Sequence, residues 1–106
     1  MSYNVDGSTI TLTRGDTFIK DFPLYVDGKR YELCPCDEVR FAAKLDYDDP
    51  EPAIFKKLDG YTLTLNPEDT KGLEFGTYKY DVQITLGSGR VITYMRGKLK
   101  LDKEVH

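Results

Sequence analysis

The stretch Asn66–Ile84, "NPEDTKGLEFGTYKYDVQI", decides the fold. It opens as a helical turn and closes as a half-buried strand. Asn66 suits an N-cap that accepts from the amides of Glu68 or Asp69. Pro67 fits the first helical position, where its missing N–H costs nothing. Glu68 and Asp69 favour the positive end of the turn, and Gly72 is placed to end it in a left-handed conformation. Then Tyr78, Tyr80, Val82, Ile84 and Leu86 share one parity, and Lys79, Asp81, Gln83 and Thr85 the other. Strict alternation of this kind predicts a strand with one apolar face. A single turn leading into such a strand predicts a crossing between two facing sheets. Tyr78 or Tyr80 would sit under the turn with its hydroxyl on backbone, a tyrosine corner.

The pattern extends in both directions. Downstream, "GSG" (87–89) predicts a tight turn, and "RVITYMRGKLKL" (90–101) a long partner strand with a bulge or bend at Gly97. Upstream, Ile10 and Leu12 alternate with threonines. Phe18, Phe22, Leu24 and Val26 form a second series, interrupted by Lys20 and bent at Pro23. Asp27-Gly28 turns the chain. Val39, Phe41, Ala43 and Leu45 share one face of "EVRFAAKL", "AIFKK" (53–57) reads as an edge strand, and Tyr61, Leu63 and Leu65 point inward. About seven strands without a long helical pattern predict an all-β, antiparallel two-sheet sandwich of immunoglobulin-like type, with one helical turn near Pro67–Gly72. A small barrel is the alternative.

Composition limits the function classes. The 106 residues suffice for one domain, 1–106, able to bury roughly 65% of its extended surface. Charged residues make up 31% and hydrophobic ones 40%, as expected of a folded rather than a disordered chain. Fifteen Lys and Arg against 18 Asp and Glu leave a net charge of −3, with no basic run to neutralise phosphates, so nucleic acid is not an expected partner. The first residues lack the charged and apolar segments of a signal peptide. No apolar run reaches the roughly 20 residues of a membrane helix, so no membrane insertion is expected.

The chemistry-bearing motifs are sparse. "RGD" (14–16) joins two strands, and Gly-Asp is ordinary turn chemistry, with Asp16 expected to bond amides of its own loop. Cys34 and Cys36 flank Pro35; they are too close to staple distant segments and are expected to form a loop thiol pair or to oxidise occasionally between molecules. A zinc site would need further ligands, and the one histidine is His106. Asp46, Asp48, Asp49 and Glu51 lack the spacing of a calcium loop and read as a solvated turn. Ser2, Ser8 and Ser88 have no evident base partner. No glycine-rich loop opens a helix to hold phosphate. No catalytic residue, metal or cofactor is expected, and the chain is read as a non-enzyme. Of the eight tyrosines, Tyr3, Tyr25, Tyr31, Tyr47 and Tyr94 do not all fit the inward parity. Tyr25, Tyr31 and Tyr94 are the expected interface, since tyrosine brings contact area at low entropic cost.

Two resemblances add to this reading. "PEDT" followed by a Tyr-x-Tyr strand resembles the corner of immunoglobulin variable domains, although no cysteine follows the tyrosines and tryptophan is absent. "LTRGDTFIKDFPLYVDGKRYEL", "DEVRFAAKLDY", "LTLNPEDTKGLEFGTYKYDVQITLGSGRVIT" and "GKLKL" together resemble small proteins of Firmicutes phage and prophage tail modules. They are also similar to the immunoglobulin-like N-terminal domain of phage baseplate upper proteins. The resemblance implies a structural or adaptor role through protein–protein association. Its partners would be other virion or prophage structural proteins, or further copies of the chain. It implies residence in the bacterial cytoplasm and then in the virion. A carbohydrate- or surface-binding sandwich module is the alternative.

Overall fold

The computed structural model describes residues 3–6, 9–46 and 48–103. Their elements are β1 (Tyr3–Asp6), β2 (Thr9–Thr13), β3 (Phe18–Asp21), β4 (Tyr25–Val26), β5 (Lys29–Arg30), β6 (Glu38–Lys44), β7 (Ile54–Lys57) and β8 (Thr62–Leu65). The helical turn α1 (Pro67–Thr70) follows, then β9 (Gly76–Thr85) and β10 (Val91–Asp102). One sheet runs β1-β2-β10-β9-β6-β7, a second pairs β3 with β8, and β4 with β5 forms a short hairpin. The fold is all-β and sandwich-like, with α1 leading from the small sheet to the large one. The described residues form ten strands because β1, β4 and β5 are short additions to the strands the alternation marks. Every pair is antiparallel except β2 with β10, which runs parallel and joins the first half of the chain to its last strand.

The alternation explains where the core lies. Ile10 and Leu12, Val39, Phe41 and Ala43, Tyr78, Tyr80, Val82 and Ile84, and Leu99 and Leu101 are all buried on the inner face of the large sheet. Phe18, Leu63 and Leu65 meet them from the small sheet. Phe22 follows β3 and binds the layers through aromatic contacts. Its ring lies 6.4 Å from Phe41 and 6.2 Å from Tyr80, while Phe41 and Tyr80 stack at 5.2 Å. Each such side chain withdrawn from water contributes about 1.5–3 kcal/mol, and each aromatic pair adds about 0.5–1.5 kcal/mol.

Four local expectations are corrected. The bulge of β10 is not at Gly97, which pairs in register with Tyr80. The register slips between Thr93 and Met95, so Tyr94 is the extra residue. The slip reconciles the apolar parity, with Ile92 on even numbers before it and the buried Leu99 and Leu101 on odd ones after it. Gly72 does not take a left-handed conformation. Lys71 closes α1 in ordinary helical geometry and Leu73 N–H reaches the Thr70 carbonyl at 3.0 Å, so the chain leaves by a simple turn. A left-handed φ occurs instead at Gly76, 147°, at the start of β9. Leu45 and Val26 are exposed, 37% and 51%, because β6 ends at Lys44 and the β4–β5 hairpin stands off the core. Cys34 and Cys36 are not a free thiol pair; they are bonded to each other.

Candidate functional site

The sequence-marked corner is built from its cap upward. The Asp69 carboxylate accepts the Asn66 amide at 2.7 Å, and the Asp69 amide returns to the Asn66 carbonyl at 2.9 Å. The two residues thus close the start of α1 as a capping-box pair. Asp69 also holds Lys56 of the edge strand at 3.1 Å. Tyr78 donates its hydroxyl to the Glu74 carbonyl, four residues back, at 2.8 Å. Tyr80 instead stacks in the core. The "RGD" turn packs on this corner. Gly15, with φ 87°, gives its amide to the buried Thr70 hydroxyl at 2.9 Å. Arg14 lies over the Phe75 ring at 4.2 Å and donates to the Leu73 carbonyl at 3.2 Å. Its guanidinium is therefore folded onto the molecule, and the Asp16 amide, bonded to the Thr13 carbonyl, closes the turn. Thr70 was not legible as a key residue, since nothing in the sequence places its hydroxyl under a glycine 55 positions earlier.

The three expected interface tyrosines separate into different roles. Tyr25 is 60% exposed on β4. Tyr94, at the bulge, is half-buried and donates its hydroxyl across the layers to the Phe22 carbonyl at 2.5 Å. Burial pushes its phenol pKa well up. Tyr31 donates to the Asp37 carboxylate at 2.8 Å, which raises the Tyr31 pKa. The Tyr61 hydroxyl donates to the Tyr31 carbonyl, under the Arg30 guanidinium, 5.1 Å from its ring. Burial raises Tyr61, Tyr78 and Tyr80 as well. Tyr31, Tyr61 and Tyr94 thus serve as struts whose hydroxyls are spent inside the molecule. Tyr3 as a side chain and all of Tyr47 lie outside the described residues, as do Ser2, Ser8 and His106.

The Cys34–Asp37 loop is the most chemically distinctive feature. Asp37 takes the Cys34 amide at 3.1 Å, the Tyr31 hydroxyl, and the Gly87 amide of the β9–β10 turn at 3.1 Å. The Cys34 amide contributes most to lowering its pKa, followed by the Tyr31 hydroxyl and, less, the Gly87 amide. Both sulfurs and an Asp37 oxygen lie within 4.8 Å of one another. With the sulfurs joined, neither is a thiolate ligand. The Asp46–Asp49 loop consumes its own oxygens: Asp49 accepts the Asp46 amide at 3.0 Å and Asp46 accepts the Asp48 amide at 3.1 Å.

A depression of about 340 Å³ lies against Ala42, Lys44, Lys79, Asp81 and Arg96. Its lysines brace the neighbouring loop, Lys44 on the Asp49 carbonyl at 2.9 Å and Lys79 on the Leu45 carbonyl at 3.1 Å. Among the described residues large apolar side chains stand exposed at Ile19 on β3, at Tyr25 and Val26 on β4, and at Phe55 on β7, the outermost strand of the large sheet. Among the described residues no helix is long and apolar enough to cross a membrane. No family model and no curated protein matches the chain.

Proposed function

We propose that the chain is an immunoglobulin-like structural or adaptor subunit of a phage or prophage tail, acting without catalysis through association with other structural subunits, itself included. The observation that carries this reading is the set of exposed apolar side chains Phe55, on the edge strand β7, and Tyr25 and Val26 on the β4–β5 hairpin, 51–60% exposed. Open edges offer unpaired backbone groups to an incoming strand, and apolar side chains beside them supply the desolvation that holds it. The sequence likeness to tail-module proteins supports the setting. The Tyr78 hydroxyl on the Glu74 carbonyl supports the immunoglobulin-like assignment, because that contact is the corner of Greek-key sandwiches.

The phage setting is tested by particle composition. Tails released from cells that produce the chain, purified by sedimentation and probed with an antibody to it, should contain it in constant proportion to the other tail subunits. Recovery of the chain only in the particle-free fraction would reject the role. Carbohydrate binding draws less support, since Tyr25 is the one tyrosine of the expected trio that offers an open ring face.

A further inference from the structure

We propose that the Cys34–Cys36 disulfide is an exchange site at which an external dithiol reduces the folded protein. Both cysteines are exposed, so an attacking thiolate reaches the sulfurs from solvent. Exposed disulfides are among the labile ones, more readily reduced than those of structural type. A purely stabilising role fits poorly. The bond spans a sequence separation of 2, and a disulfide that closes so short a loop constrains the unfolded chain least.

The loop around the sulfurs is held by other means. Asp37 anchors it to the Cys34 amide, Tyr31 and Gly87, and the Asp37 amide bonds the Cys34 carbonyl at 2.9 Å. None of these bonds depends on the sulfur–sulfur link. Reduction therefore leaves the two thiols side by side and ready to close again. Cys36 is also seated against the next hairpin: a Cβ added to Gly87 would lie 2.5 Å from its Sγ and 2.9 Å from its Cβ. Asp37 is a positioning residue in this site. Its depressed pKa makes it a poor base, and its charge beside Cys36, 3.9 Å from Sγ, disfavours the thiolate after reduction. The reduced pair accordingly rests as two thiols.

The step balances without further reagents. A thiolate of the dithiol attacks one protein sulfur, the Cys34–Cys36 bond breaks, and the departing sulfur takes up a proton. The second thiol of the reagent then attacks the mixed disulfide and leaves as a cyclic disulfide. Two electrons and two protons pass to the protein, and the dithiol is oxidised.

Intact-mass measurement after iodoacetamide treatment in native buffer tests this, with dithiothreitol as the dithiol. The protein as isolated should take up no adduct. After dithiothreitol it should take up two, with its far-ultraviolet circular dichroism unchanged. After transfer to oxidised glutathione it should return to none and remain monomeric on a non-reducing gel. Adducts before reduction, adducts that need denaturant, or disulfide-linked dimers on reoxidation would each overturn the proposal. A Cys34→Ser, Cys36→Ser protein should keep the native circular dichroism; its collapse would show that the bond holds the fold and overturn the proposal equally.

Discussion

Single hydroxyls carry much of the specificity of this core. Tyr78 and Tyr94 each donate the phenol hydroxyl to a backbone carbonyl, Tyr78 to Glu74 in the corner loop and Tyr94 to the buried Phe22 across the layers. Tyr78→Phe and Tyr94→Phe should each lower stability by about 1 kcal/mol. The check is the urea midpoint, which should fall with an unchanged slope. The same residues set an alkaline limit. Burial raises the pKa of Tyr61, Tyr78, Tyr80 and Tyr94 in the folded chain above the ordinary 10.0. Between the unfolded and folded values the unfolded chain has lost protons that the native one keeps. Stability is therefore full below pH 10 and declines as pH rises beyond it. Urea midpoints across that range should fall above pH 10, and less so in Tyr94→Phe. A flat profile would mean that these phenols are not withdrawn from water. Asp37 has the opposite sign. Its pKa is depressed, so its contribution is present above the ordinary carboxylate value of 3.8 and is lost as pH falls through the lower folded value.

At the scale of elements, the corner couples three segments distant in sequence. Thr70 in α1 receives Gly15 from the β2–β3 turn, and Arg14 of that turn reaches Leu73 and Phe75 beyond α1. Thr70→Val keeps the shape and orphans the Gly15 amide, and should cost about 1–3 kcal/mol in the urea midpoint. The β9–β10 turn is coupled to the cysteine loop in a similar way. Gly87→Ala drives a methyl into Cys36, and the disulfide prevents that sulfur from swinging clear. The variant should favour the reduced state by about tenfold in its dithiothreitol equilibrium. These couplings also mark where sequence reading stops. The alternation of Tyr78 through Ile84 and the opening of the turn at "NPED" were legible because strand period and cap chemistry are local, whereas the turn's end at Gly72 was misjudged. The position of the bulge at Tyr94 was not legible: the shift of apolar parity between Ile92 and Leu99 requires a slip somewhere between them, and Gly97 is the more conspicuous residue. Nor were Thr70 and Gly87 legible, since each owes its importance to a partner about 50 residues away. Tyr31 and Tyr94 read as surface tyrosines because hydroxyl partners across a fold leave no trace in spacing.

At the scale of the molecule, two sheets of unequal size consume the apolar stripes and leave a few large side chains outside. Among the described residues the six-stranded sheet ends in β7 on one side. Lys56 and Lys57 guard β7 through Asp69 and Glu38, which limits indiscriminate pairing. Phe55, which precedes them on β7, and Tyr25 on the hairpin remain exposed, 56% and 60%. Association through these positions is the central functional claim, and sedimentation equilibrium over a wide concentration range tests it most directly. The 12.1 kDa chain should shift to heavier species as concentration rises, and a Tyr25→Ser, Phe55→Ser protein with the same circular dichroism should not. A wild-type protein that sediments as a monomer throughout, or a double variant that associates as strongly, would contradict it.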